Sequence, residues 1–187
     1  MRLSVLICTL KKRKVMFDIL KAELNRQKKI FQIDDDTVEI LDECDEGQMT
    51  IGAKRNLLMS QSTGDYLCFV DDDDSVDGEY LVKILKALED DPDCVQMIGV
   101  MSTDGYSLKR FEHSIAHSTY FDQNGVYYRY PNHLNPIKSE IAMQFSFPEL
   151  NFGEDTDWAT QIRDSGLLQR EAAIDRPIYH YLYRTTK

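Results

Sequence analysis

In the first half of the chain, apolar residues alternate between short unbroken runs and sets spaced three or four apart. Leu3 to Leu10 is a short apolar, β-branched run and predicts a buried strand. Val15, Ile19, Leu20 and Leu24 recur at helical spacing among Lys and Arg, predicting a helix over about 13–29. Val38 to Leu41 reads as a second strand, leading into the acidic segment Asp42-Glu43-Cys44-Asp45-Glu46-Gly47. Residues 51–62 predict another helix, ended by Gly64. Tyr66 to Val70 is nearly all apolar and predicts a central strand. Asp77 can cap the next helix, whose core face is Leu81, Ile84, Leu85 and Leu88. Cys94 to Met101 predicts a further strand.

Strand–helix–strand repetition implies an α/β fold with a mostly parallel central sheet flanked by helices and joined by right-handed crossovers. Ligands bind such sheets outside the carboxyl ends of the strands. Thr9, Asp42 to Asp45, and Asp71 to Asp74 all fall at such ends, far apart in sequence and expected to converge. From about residue 102 the pattern changes. Aromatic-rich pieces (Tyr120-Phe121 and Tyr127 to Tyr130) alternate with Gly, Asn and Pro, which predicts a small irregular or antiparallel C-terminal part. A helix is expected from Glu154 to Asp164 and a last strand from Ile178 to Tyr183. With no linker, repeat or low-complexity segment, residues 1–187 read as one domain.

Composition narrows the partners. Hydrophobic residues make up 42% of 187 positions, which suits a globular domain. The net charge of −10 argues against nucleic acid, whose phosphates require a basic face. An anionic ligand would then need a cation or a local basic group. Cys8, Cys44, Cys68 and Cys94 form no C-x-x-C pair, so a disulfide framework or zinc site is not expected and a reducing cytoplasm is the natural setting. The apolar N-terminal stretch is too short for a signal peptide, lacks a small-residue cleavage site and ends in Lys11-Lys12-Arg13-Lys14. That basic run reads as a solvated helix start, since adjacent residues project around a helix.

The Asp71 to Asp74 run carries the candidate chemistry. Adjacent carboxylates raise one another's pKa, and a bound cation relieves the penalty. Mg²⁺ and Mn²⁺ take oxygen ligands and usually bind through one or two carboxylates plus substrate phosphates. If the segment stays extended, Asp71 and Asp73 point the same way. A calcium loop beginning at Asp73 fails, because its twelfth position, which should be Glu, is Ile84.

Four stretches together resemble the GT-A fold of family-two (inverting) glycosyltransferases: Ser4 to Thr9; Gly52-Ala53-Lys54-Arg55-Asn56 with Gly64 to Asp74; Gly153-Glu154-Asp155; and Tyr179-His180-Tyr181. The resemblance implies a Rossmann-like GT-A domain, with 1–101 as the nucleotide-sugar-binding half and 102–187 as the acceptor and catalytic-base half. It implies a Mn²⁺- or Mg²⁺-dependent transfer from a nucleotide-sugar donor, UDP-linked as first choice, to a glycan or other hydroxyl acceptor. By the same resemblance Asp73 binds the metal, Asp71 contacts the ribose or metal-bound water, and Asp72 supports them in the donor site. Thr9 lies near the nucleoside; Asp42, Glu43 or Asp45 recognises the base; and Arg55 is a candidate donor contact. Asp155 is the implied general base and His180 a further metal or phosphate ligand. The chain departs from the family in having Thr185-Thr186, with no His, after Tyr183-Arg184, and in being short for this fold, so acceptor-binding parts are trimmed or supplied elsewhere.

Inverting transfer needs a base on the acceptor hydroxyl and neutralisation of the leaving diphosphate. Gly153 is expected to permit close backbone approach before Asp155, while Asp157 faces solvent. His133 and Lys138 could touch acceptor or donor phosphate, Trp158 belongs to the core, and Tyr127 to Tyr130 could stack on a sugar. A sugar nucleotidyltransferase would carry a Gly-rich loop after the first strand, and none is present. A non-catalytic nucleotide- or cation-binding module is the remaining alternative. The sequence has no run of membrane-spanning length, so a lipid-linked acceptor would be met peripherally, at the membrane surface.

Overall fold

The unbroken apolar run at the N-terminus becomes β1 (Leu3–Leu10), and its period-two side chains divide the core in two. In this computed structural model, which describes residues 1–185, Leu3, Val5 and Ile7 face one apolar cluster and Leu6 the other. Thr186, one of the two threonines noted above, lies outside the described residues.

Next come α1 (Lys14–Ile30), β2 (Val38–Asp45), α2 (Ile51–Gln61), β3 (Tyr66–Phe69), β4 (Ser75–Val76) and α3 (Tyr80–Leu88). They are followed by β5 (Cys94–Val95), β6 (Met97–Thr103), β7 (Tyr106–His113), β8 (Phe121–Gln123) and β9 (Val126–Arg129). The chain ends with β10 (Ile137–Lys138), α4 (Ser139–Ala142), α5 (Glu154–Ser165), β11 (Glu171–Ala172) and β12 (Tyr179–Tyr183).

The first sheet has the order β11-β5-β10-β3-β1-β2. β1 runs parallel to β2 and β3, and β10 inserts antiparallel between β3 and β5. On one face Leu20, Leu24, Leu81, Ile84 and Leu88 from α1 and α3 pack on Tyr66 and Cys68. On the other, Leu58, Trp158 and Ile162 from α2 and α5 pack on Leu67 and Phe69, with Trp158 stacked on Phe147 at 4.6 Å.

Several expectations are corrected. Val15 and Ile19 are exposed, because the face that α1 turns fully inward carries Leu20, Leu24 and Gln27. The helix itself begins at Lys14, after a 3-10 turn over Lys11–Arg13. β2 runs on to Asp45, so the acidic segment is mostly strand, at the sheet's edge. α2 ends at Gln61, capped by Ser62, before Gly64. Asp77 accepts from the Glu79 amide at 3.0 Å, capping the turn ahead of α3 and not the helix itself. The stretch 94–101 is not one strand: the chain leaves the first sheet after Val95 and enters a second at Met97.

That second sheet, of order β4-β12-β6-β7-β9-β8, organises most of the part expected to be irregular. Its hairpins turn on Asp104-Gly105 and Asn124-Gly125, all four residues at positive φ. Among the described residues, no helix is long and apolar enough to cross a membrane.

The cysteines give a direct check on this packing. Cys68 and Cys94 are buried in separate core clusters, and burial pushes the Cys68 thiol up to about 12. Burial likewise pushes Cys8 up to about 12, with Arg55 offsetting part of the effect. Cys44 is exposed. Since the thiolate is the reactive form, iodoacetamide at mildly alkaline pH should label Cys44 alone in the folded protein. Mass spectrometry showing Cys8 labelled at a similar rate would contradict the packing around it.

Candidate active site

The buried strand β3 ends where the Asp run begins, and the run turns at once instead of staying extended. The Asp74 amide donates to the Asp71 carbonyl at 3.1 Å. The turn sends the four carboxylates to different places, so Asp71 and Asp73 do not point the same way. Asp71 points at the basic and imidazole groups of the core: Arg55 Nη2 donates to it at 3.0 Å and His133 Nε2 lies 3.3 Å away. Asp72 turns inward, accepting from Thr9 Oγ1 and Arg13 Nη1, each at 2.7 Å. Asp73 turns outward, half-buried, onto Arg13. Asp74 accepts from the Tyr179 hydroxyl and the Leu182 amide, each at 2.8 Å. Burial and the neighbouring Asp71 push Asp74 up to about 8. Burial would raise Asp71 as well, but Arg55 and His133 outweigh it and hold its carboxyl well below the usual range.

Arg55 reaches Asp71 because α2 is pressed onto the 147–150 loop. A Cβ at Gly52 would stand 1.9 Å from the Pro148 carbonyl oxygen, so that approach requires glycine. The Arg55 guanidinium lies over the Phe69 ring at 4.8 Å and also contacts Glu154 Oε1 at 3.3 Å. It is buried and does not line the cleft described below; it braces Asp71 and Glu154, where a donor contact was expected.

α5 starts at Glu154 after Gly153, which holds φ at 81°. A Cβ there would meet nothing within 4 Å, so the glycine serves the left-handed backbone and not the close approach expected of it. The first turn carries Glu154, Asp155 and Asp157, favourably placed in the helix dipole. Asp155 faces the cleft, with its Oδ2 3.6 Å from His133 Nδ1. Asp157 is exposed and accepts from Gln161, as expected of a solvent-facing carboxylate.

Asp71, Asp74, His133 and Asp155 line a cleft of about 540 Å³. Tyr120, Tyr127, Tyr181 and Tyr183 line it as well, with Arg129 packed over Tyr120 and Tyr127 at 4.6 and 5.2 Å. Alternation along β12 explains the correction at His180. Tyr181 and Tyr183 line the cleft and Tyr179 holds Asp74, so His180 falls on the opposite face and cannot join these carboxylates around a metal.

The other expected residues divide. Thr9 is buried beneath Asp72 and locks the Asp turn. Asp42, Glu43 and Asp45 lie beside the end of β1, paired in register with Ile7, Cys8 and Leu10, and do not line the cleft. Asp42 pairs with Lys21 at 2.5 Å. Asp45 pairs with the buried Lys54 and accepts from the Met49 amide at 2.7 Å; these outweigh burial and hold it down to about 2. Lys138 turns away to Asp91. Within the basic run, Lys11 and Lys14 are exposed, but Arg13 folds back on the Asp turn, a role its helical position did not signal. The alternating tyrosines 179, 181 and 183 were a readable signal for a site-facing strand edge.

The fold and site invite comparison with solved structures. S. aureus TarS 1–349 in complex with UDP-GlcNAc superposes with a TM-score of 0.69 at 18% identity, covering 100% of this chain and 60% of that one. The same protein in complex with UDP gives 0.68 at 17% identity, covering 97% and 60%. The chain thus spans about 60% of the length of these structures, and at such identities the likeness is one of fold. No curated protein sequence matches the chain. The sequence profile of glycosyl transferase family 2 matches residues 4–160, spanning β1, the Asp turn and Asp155, and the chain belongs to that family.

Proposed function

We propose that the chain transfers a sugar from a nucleotide-diphosphate sugar, a UDP-sugar first, to an acceptor hydroxyl with inversion. The observation that carries this reading is the meeting of Asp71, from the end of β3, and Asp155, from the start of α5, in one cleft on either side of His133. Family membership and the UDP and UDP-GlcNAc complexes of the TarS structures support the donor class. The acceptor lies on the tyrosine-lined side, where aromatic faces suit a glycan.

Asp155 takes the proton of the acceptor hydroxyl as its oxygen forms the new bond to the anomeric carbon. The bond from that carbon to the diphosphate oxygen breaks, and its electron pair leaves with the nucleotide diphosphate. Among the described residues, no three His, Cys, Asp or Glu side chains form a ready cation cage. The Asp turn nevertheless fits Mn²⁺ or Mg²⁺, which usually bind through one or two carboxylates and complete their shell with substrate phosphates. Asp71, which faces the cleft, would supply one of these carboxylates, and Asp73 would join it only on leaving Arg13; the ion when bound would neutralise charge on the leaving diphosphate. A reducing cytoplasm is the setting proposed for the chain.

The test is release of free sugar and nucleotide from a panel of UDP-sugars with and without Mn²⁺, beside UDP titration by calorimetry. Turnover with at least one donor is expected, and Asp73→Ala should lose the Mn²⁺-dependent part of UDP binding. Binding without any turnover would favour a non-catalytic module. Affinity unaltered by Mn²⁺ or by Asp73→Ala would remove the metal assignment.

A further inference from the structure

His133 joins the two carboxylates on which the proposed chemistry depends. Its Nε2 lies 3.3 Å from Asp71 Oδ2 and its Nδ1 3.6 Å from Asp155 Oδ2. The ring is buried, with 6% of the side chain exposed, and Nδ1 has no hydrogen-bond partner. The backbone around it is held from three sides. The His133 carbonyl accepts from the Phe69 amide at 2.8 Å, fixing it beside the end of β3. Asn132 Oδ1 accepts from the Leu134 amide, and Asn135 Oδ1 from the Asn132 amide, each at 3.0 Å. The ring also stands edge-on to Phe69, with centroids 6.4 Å apart.

Asp155 is differently placed. A third of its side chain is exposed, and it hangs from the first turn of α5 on two rotatable bonds. A general base must come within about 2.6–3.2 Å of the proton it removes, and catalytic hydrogen bonds are often long before substrate binds. A fixed, buried nitrogen beside a partly exposed carboxylate is the arrangement that orients a base through a third group.

We infer that His133 is a positioning residue: it sets the direction of the Asp155 carboxylate and ties it to Asp71, so that base and donor-side carboxylate keep one spacing. The inference rests on the transferase reading of Asp155. To hold both carboxylates the ring donates from both nitrogens.

Three substitutions in the full chain test it. H133N puts an amide near the position of Nδ1, H133Q puts one near Nε2, and H133F keeps a ring but removes both nitrogens. Turnover and donor KM would be measured with the best UDP-sugar, together with UDP affinity and thermal midpoint. H133F should lower kcat by about 10²-fold, the scale of an approximately 1 Å misplacement, with donor KM and UDP affinity unchanged. H133N should recover most of kcat, and H133Q should not. Wild-type kcat in H133F, equal losses in H133N and H133Q, or a donor KM that rises as kcat falls would each overturn the inference. Should H133F fail to fold, the contrast between H133N and H133Q decides. If the wild-type protein releases no sugar from any donor, the transferase reading itself fails and takes the inference with it.

Discussion

Arg55→Met is expected to lower the thermal midpoint by about 6–20 °C, although it keeps much of the apolar bulk of the side-chain stem. Arg55 is buried between two carboxylates, Asp71 at 3.0 Å and Glu154 at 3.3 Å, and lies over Phe69 and Phe147. Removing one partner of a buried ionic group leaves the others uncompensated, at about 3–5 kcal/mol. For a chain of this size each kcal/mol moves the midpoint by roughly 2–4 °C, which gives the quoted range.

The pH dependence separates this cause from simple loss of packing. Asp71 is held below its unfolded value by Arg55 and His133 against the effect of burial. Its stabilising contribution is therefore present above the unfolded carboxylate pKa and lost as pH falls below it. In Arg55→Met the deficit should be largest near neutral pH and shrink in acid, where Asp71 can take up a proton. The double variant with Glu154→Gln should recover part of the loss at pH 7. Circular-dichroism melts of the three proteins at pH 7 and pH 4 would settle it. An unchanged midpoint, or a deficit equal at both pH values, would mean that Arg55 serves as filling.

How much of this could be read from the chain depends on what each signal reports. The strands β1 and β3 were legible almost to the residue because both faces are buried, so the apolar run and the strand coincide. The face of α1 was misread, since Val15 and Ile19 keep the helical spacing yet remain exposed. Spacing reports a shared face but not which element covers it. The second sheet was underestimated for a different reason. Its hairpin turns are written plainly as Asp104-Gly105 and Asn124-Gly125, a strong short-range signal. The flanking segments, such as Tyr106 to His113, carry many polar and exposed residues and do not show a core pattern.

In the site, the delivery of Asp71 by a buried strand and the placing of Asp155 at a helix start were readable. What each neighbouring carboxylate does was not. The assumption of an extended Asp run failed when the chain turned, separating Asp73 from the cleft and bringing Asp74 into it. His180 failed on strand parity, one position out of phase with the tyrosines that face the site. The bridging place of His133 depends on long-range packing, a backbone bond from the Phe69 amide, and no local pattern encodes it.

Asp155→Asn should remove transfer while leaving the fold and UDP binding in place. The amide is nearly isosteric, remains in the first turn of α5, and keeps an oxygen facing His133, but it cannot take the acceptor proton. General-base catalysis is typically worth 10²–10⁴-fold, which corresponds to about 2.7–5.5 kcal/mol of barrier. The stability cost is much smaller. A first-turn carboxylate gains about 0.3–1 kcal/mol from the helix dipole, so the midpoint should fall by only about 1–4 °C. Glu154, the adjacent residue, provides the control. Its side chain is turned into the core onto Arg55, whereas that of Asp155 faces the cleft. Glu154→Gln should therefore lower the midpoint more than Asp155→Asn and lower kcat far less. Two neighbouring acids on one helix turn would thus be told apart by opposite patterns of stability and turnover. Undiminished kcat in Asp155→Asn would remove the base from the proposed reaction, and a shared loss of stability and turnover in both variants would show that α5 contributes scaffold alone.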